Sequence, residues 1–110
     1  MEPDAQSLAG SFVVEVGQRQ AWPFVTFCDN TPTPPVETRL YLDAPFVVSP
    51  GPQDQSPLDT LAQINNLAVA DVHVMNDGGL TVVFEGGLRL MASGQATADT
   101  AGEPWWLGDL

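Results

Sequence analysis

His73 is the only histidine in the chain, and it sits in "DVHVM" two residues after Asp71. On a strand, residues two apart share a face. The pair therefore has the spacing in which a carboxylate orients an imidazole, either for general-base work or as the start of a metal site. A metal would need further ligands such as Asp77, and the carboxylates are scattered rather than clustered. An exposed strand histidine is the expected reading. A Ser–His–Asp set can be written with Ser11 or Ser93, yet no G-x-S-x-G elbow presents either serine. Paired acids could do glycosidase work, but these acids fall at turns and outward strand positions, where solvation accounts for them. Lysine is absent, which removes Schiff-base chemistry and the phosphate-cradling G-x-x-x-x-G-K signature. Cys28 is the single cysteine, in the apolar run "WPFVTFC". It excludes an internal disulfide and a thiolate-rich zinc site, and reads as a buried, inert thiol. We therefore expect no catalytic set, no metal and no cofactor.

Binding is the alternative to catalysis, and charge constrains it. Fourteen acids stand against three bases, Arg19, Arg39 and Arg89, for a net charge of −11. Trp22, Tyr41, Trp105 and Trp106 are aromatic enough to stack on single-stranded bases, with Arg39 and Arg89 nearby. The overall charge opposes it, because phosphate backbones and anionic lipid are repelled. Neither nucleic acid nor a membrane is an expected partner. The acids form no run of five or six, and that spread favours simple solubility; the sharper reading is an acidic face that meets a basic protein. No window approaches ~20 consecutive apolar residues. "MEPDAQSLAG" lacks a basic start and apolar run, so a cytoplasmic location is expected.

These residues need elements to position them. Residues 1–9 read as a flexible arm before one β-rich domain over 10–110. "SFVVEVGQ" alternates, placing Phe12, Val14 and Val16 on one face and Glu15 on the other. "WPFVTFC" and "TRLYLD" are the next strands, joined by the proline-rich "DNTPTPPVE" and followed by "APFVVSP". One short helix is expected at about 56–65. Ser56 is its N-cap, Pro57 its first residue, Leu58, Leu61, Ala62 and Ile64 its apolar stripe, and Asn65–Asn66 its end. "VADVHVM", the tight turn "NDGG", "LTVVFE" and "LRLMAS" repeat the strand plan. "GQATADTA" is a flexible small-residue loop before a final "EPWWL" strand.

Residues 11–48 and 67–107 thus form an internal repeat, with Phe27 matching Phe84 and Leu40/Leu42 matching Leu88/Leu90. The expected fold is mainly β, α+β in class. Two similar antiparallel three-stranded meanders would form a sandwich or a half-open barrel, with the helix between them.

The second half, "L-x-V-x-D-V-x-V-x-N-D-G-G-L-x-V-x-F-E-G-G-L-R-L" followed by "E-P-W-W-L", resembles a family of small bacterial domains common in actinomycetes. Its pattern runs from a Gly turn through an "L-x-V-x-F" strand to a closing "E-x-W-x-L", and "APFVV" fits its first-half closing segment. The family's "D-G" before the third strand is "GG" here, and the loop before the closing motif departs. The likeness covers about residues 10–107. It implies architecture and carries over no catalytic residue, because no activity is assigned to the family.

Alternation sorts the remaining residues. Trp105 and Leu107 share the core face with Phe27, Phe84, Leu40, Leu42, Leu88 and Leu90, and Trp105 is the tryptophan of the closing motif. Trp106, Tyr41, Arg39, Arg89 and Met91 point away and are the candidate contacts, since Trp, Tyr and Arg dominate interaction hot spots. The expected function is a small acidic, non-catalytic binding protein, of immunity or inhibitor type against a basic protein, or a homodimer. The alternative is a small-ligand-binding domain or weak hydrolase with a cleft between the two β repeats.

Overall fold

Two four-stranded antiparallel sheets face each other across one apolar core. The computed structural model describes residues 4–95 and 103–109. Its strands are β1 (Phe12–Arg19), β2 (Trp22–Asp29), β3 (Val36–Leu42), β4 (Phe46–Ser49), β5 (Val69–Val74), β6 (Leu80–Phe84), β7 (Arg89–Ala92) and β8 (Trp105–Asp109). Among the described residues the one α-helix, α1 (Pro57–Ala62), lies between β4 and β5 in the chain. The first sheet runs β1-β2-β3-β8 and the second β4-β7-β6-β5. Each meander is therefore completed by the other half's closing segment: "FVVS" joins the second sheet and "WWLGD" the first. The result is a sandwich rather than a closed barrel. It is stitched at one corner, where Val13 and Val69 donate N–H bonds to Leu67 and Ser11 at 2.9 and 2.8 Å.

The two halves pair alike. Val25 lies opposite Leu40 and Val82 opposite Leu90. Leu40 and Leu42 then meet Leu107 and Trp105, while Leu90 and Ala92 meet Val48 and Phe46. Leu40 is thus the counterpart of Leu90, and Leu42 of Ala92. The offset from the sequence match arises because the tight Glu85–Gly87 reversal sets a register that the longer β2–β3 loop does not share. Each half carries an irregularity at the same place, between Val13 and Glu15 and between Val69 and Asp71. A bulge adds a residue and resets the alternation. This corrects the expected Phe12/Val14/Val16 face at its start: Val13 is fully buried and Val14 is 38% exposed, whereas beyond the bulge Val16 packs against the core and Glu15 lies on the opposite face, as expected.

Two further expectations change. Within the supposed arm, Ala5–Leu8 form a 3-10 turn capped by Asp4, and Ala5 and Leu8 are buried in the core. Gln6 Nε2 donates to the Val72 carbonyl at 3.0 Å, tying the turn to β5. Burial of Leu8 is worth about 2 kcal/mol, enough to hold a short segment that propensity alone would leave loose. The helix is shorter than expected. Ser56 caps it through the Asp59 N–H at 3.2 Å, but after Ala62 the chain continues in turns to Asn66, which adopts a left-handed φ of 71°. Leu61 and Ile64 are buried, whereas Leu58 and Ala62 are exposed, because so short a helix buries only a narrow stripe. Residues 96–101 of the expected flexible loop, and residues 1–3, lie outside the described residues.

Phe27, Phe84, Leu40, Leu42 and Leu90 lie in the core. Leu88, Trp105 and Leu107 pack against its margin half-buried. Trp105 reaches across the sandwich, and its Nε1–H donates to the Gly78 carbonyl at 2.8 Å. That turn is itself wedged against Gly94, where an added Cβ would fall 2.3 Å from Gly78 and Gly79 backbone atoms.

Trp105→Ala is expected to lower stability by about 3 kcal/mol. Trp105→Phe, which removes the N–H and part of the ring but keeps an aromatic side chain, should cost about 1 kcal/mol. Urea unfolding checks both, and a Trp105→Phe variant as stable as the wild type would contradict the assignment of the indole N–H. Gly94→Ala should cost about 3 kcal/mol by the same measurement, because the contact is backbone on backbone.

Candidate functional site

In an antiparallel sandwich the outer face of each sheet is normally solvated. The first sheet departs from this. On β2 the outward residues Phe24, Thr26 and Cys28 are all buried, as are the inward Val25 and Phe27. Phe24 owes its position to Gly17 on the adjacent strand, where a Cβ would come within 2.7 Å of the ring. Arg39 closes over the ring, its Cζ 4.0 Å from the centroid. A cation over an aromatic face is worth about 1 kcal/mol at a partly exposed site. Arg39 Nε also donates to Thr26 Oγ1 at 3.2 Å and Nη2 to Glu15 Oε1 at 3.3 Å.

From Phe24 an aromatic shelf extends across the sheet. Tyr41 is tilted against Phe24 at 6.0 Å. Trp106 stacks on Tyr41 at 5.3 Å and 17°, and Trp22 meets Trp106 edge-on at 5.3 Å and 83°. Registry dictates this order: Phe24 is opposite Tyr41, and Tyr41 opposite Trp106. Trp22, Tyr41 and Trp106 are half-buried, each covered in part by the next. The guanidinium groups of Arg39 and, more weakly, Arg19 lie beside the Tyr41 hydroxyl and hold its pKa below the ordinary phenol value, against a smaller upward push from burial. Two of the chain's three cations thus converge on one shelf.

The structure divides the five candidate contacts. Trp106, Tyr41 and Arg39 gather on this shelf. Arg89 and Met91 occupy the corresponding positions on the opposite outer face, where Met91 lies beside Thr81 and Val47, and Arg89 beside Val83 and Ser49. Trp22, Phe24, Arg19 and Glu15 belong to the shelf and were not among the expected contacts. Their signal was legible in "WPFVTFC", a strand apolar on both faces in a sandwich where one face should be polar.

His73 and Asp71 do pair, at 3.1 Å, on the outer face of the second sheet. More than half of each side chain is exposed, and among the described residues no group of three potential ligands forms. Ser11 is buried with its hydroxyl on the Leu8 carbonyl, and Ser93 Oγ accepts from the Gln95 N–H at 3.0 Å, so neither addresses His73. Cys28 is a free, buried thiol. Among the described residues no helix is long and apolar enough to cross a membrane. Comparison with protein-family models, with characterised proteins and with solved structures finds no match to this chain.

Tyr41 is the only tyrosine, so tyrosinate absorbance reports it alone. Half-ionisation is expected below the usual value of about 10. Arg39→Gln should raise it. A phenol whose folded pKa is depressed adds stability that is complete above its unfolded pKa and is lost as pH falls through the folded one. Alkaline unfolding curves of the wild type should show that increment, and those of Arg39→Gln should lack most of it.

Proposed function

We propose that this protein is a small binding module that docks a basic protein partner, in the manner of an immunity protein or inhibitor. The docking surface is the aromatic shelf of the first sheet. The observation that carries this reading is the cluster of Trp22, Tyr41 and Trp106 beside Arg19 and Arg39, half-exposed on a sheet face where solvated polar residues would serve folding equally well. Trp, Tyr and Arg are the residue types that dominate binding energy at protein interfaces. Stacked rings also lose little conformational entropy on association.

Charge supports the choice of partner. A net charge of −11 accelerates encounter with a basic protein and slows encounter with an acidic one. In this reading the long-range field brings the partner in and the shelf holds it. The resemblance to small bacterial domains belongs to the same proposal: its second-half motifs fall on β5 to β8, so it describes a scaffold on which a binding face is mounted. A cytoplasmic location is likewise proposed.

The test is affinity capture from native lysate at low and high salt, with wild type, Trp106→Ala and Trp22→Ala as baits. A stoichiometric basic protein should be retained by wild type at low salt and released at high salt. Each tryptophan variant should weaken it by at least about tenfold, on the order of 1.4 kcal/mol. No stoichiometric partner at either salt, with a monodisperse monomer in sedimentation, would refute the proposal. So would a partner held equally by all three baits.

A further inference from the structure

The chain crosses from the first sheet to the second through Asp43, Ala44 and Pro45. Beside this crossing a cleft of about 460 Å³ opens between the β1–β2 turn, β4, the Pro52–Gln55 loop and α1. That size is typical of small-molecule sites, which span roughly 300–1,000 Å³. The shelf does not contribute to its lining.

The walls differ in chemistry. Phe46, Pro45, Pro23 and Pro52 give apolar surface. Gln18, Gln53 and Gln55 give amides, each already engaged at one end. Gln18 Nε2 donates to the Gln20 carbonyl at 3.3 Å. Gln53 Nε2 donates to the Val48 and Gly51 carbonyls at 3.2 and 2.9 Å. Gln55 Oε1 accepts from Gln63 Nε2 at 3.3 Å. What remains for a ligand is the carbonyl oxygens of Gln18 and Gln53, the NH2 of Gln55 and the second N–H of Gln18. An amide held at one end is oriented, so its free end is presented at little entropic cost. Asp43, itself engaged within the protein, adds negative potential. Neither arginine nor lysine lines the cleft.

We propose that this cleft binds a neutral, hydroxyl-rich small molecule of mono- or disaccharide size. A lining of amide carbonyl oxygens, amide N–H groups and a carboxylate calls for a ligand whose groups both donate and accept, as hydroxyls do. The carboxylate and the net charge of the chain exclude anions such as sugar phosphates and uronates. The apolar wall matches the C–H face of a sugar ring, which lies on Phe46 and Pro45 while the hydroxyls reach the amides. The cleft exists because two sheets exchange strands beside it, and its occupancy is independent of any partner on the shelf.

The test is a titration of the isotopically labelled full chain with a panel of neutral mono- and disaccharides, read by backbone amide shifts. The matching uronic acids and amino sugars serve as charge controls. At least one neutral sugar should give saturable shifts at Phe46, Gln53 and Gln55, with its uronic acid at least about tenfold weaker. Gln18→Ala combined with Gln55→Ala, both at exposed positions, should weaken binding by about tenfold without altering the melting temperature. Trp106→Ala should leave it unchanged. The proposal is overturned if no neutral sugar saturates, if the uronic acids bind as well, if only amino sugars bind, or if the shifts lie away from the cleft.

Discussion

Each sheet is completed by a strand that the other half of the chain supplies, and the rest of the molecule depends on that exchange. A three-stranded meander is at the lower limit of what a sheet needs to be stable by itself, and a fourth strand widens its apolar face. Adding β8 to the first sheet places Leu107 and Trp105 beside Leu40 and Leu42; adding β4 to the second places Val48 and Phe46 beside Leu90 and Ala92. Because each half supplies the other with an edge strand, neither four-stranded sheet is complete without the other half of the chain. The corner bonds between β1 and the start of β5 then hold the sheets face to face. The cleft is a by-product of the same constraint, since a chain that leaves one sheet for the other must pass between them.

The two outer faces show what a symmetric scaffold leaves free. Arg39, Tyr41 and Trp106 on one face correspond in register to Arg89, Met91 and Val47 on the other. The backbone positions are alike, yet one set forms a packed aromatic layer and the other a mixed surface with His73 and Asp71. The decisive difference is local. Gly17 leaves room for Phe24, Phe24 gives Arg39 a ring to cover, and Tyr41 and Trp106 continue the stack. The aromatic layer gives the first sheet a second, smaller apolar layer outside the main core, with its far end still accessible.

Much of this was legible from residue order. Two-residue alternation put Phe27, Phe84, Leu40 and Leu42 inward and separated Trp105 from Trp106. Ser56–Pro57 marked the start of the helix through cap chemistry that acts within one turn. The short-range signal failed at the start of β1, where a bulge put Val13 rather than Phe12 and Val14 in the core, because the choice to bulge depends on how the strand meets its neighbours. It failed again at Leu8. Nothing in "AQSL" demands order, and only the arrival of β5 and the core gives that leucine a place to be buried.

Sequence by itself therefore determined the strands, the helix, the repeat and, outside the bulge of β1, which side chains share a face, because these follow from local periodicity and turn chemistry. Tertiary structure alone decided which sheet each closing strand joins, that Trp106 stacks on Tyr41 and Trp22, and where a cleft opens. Those outcomes depend on contacts between residues tens of positions apart, whose pairing is set by the summed burial of both sheets and by no single segment.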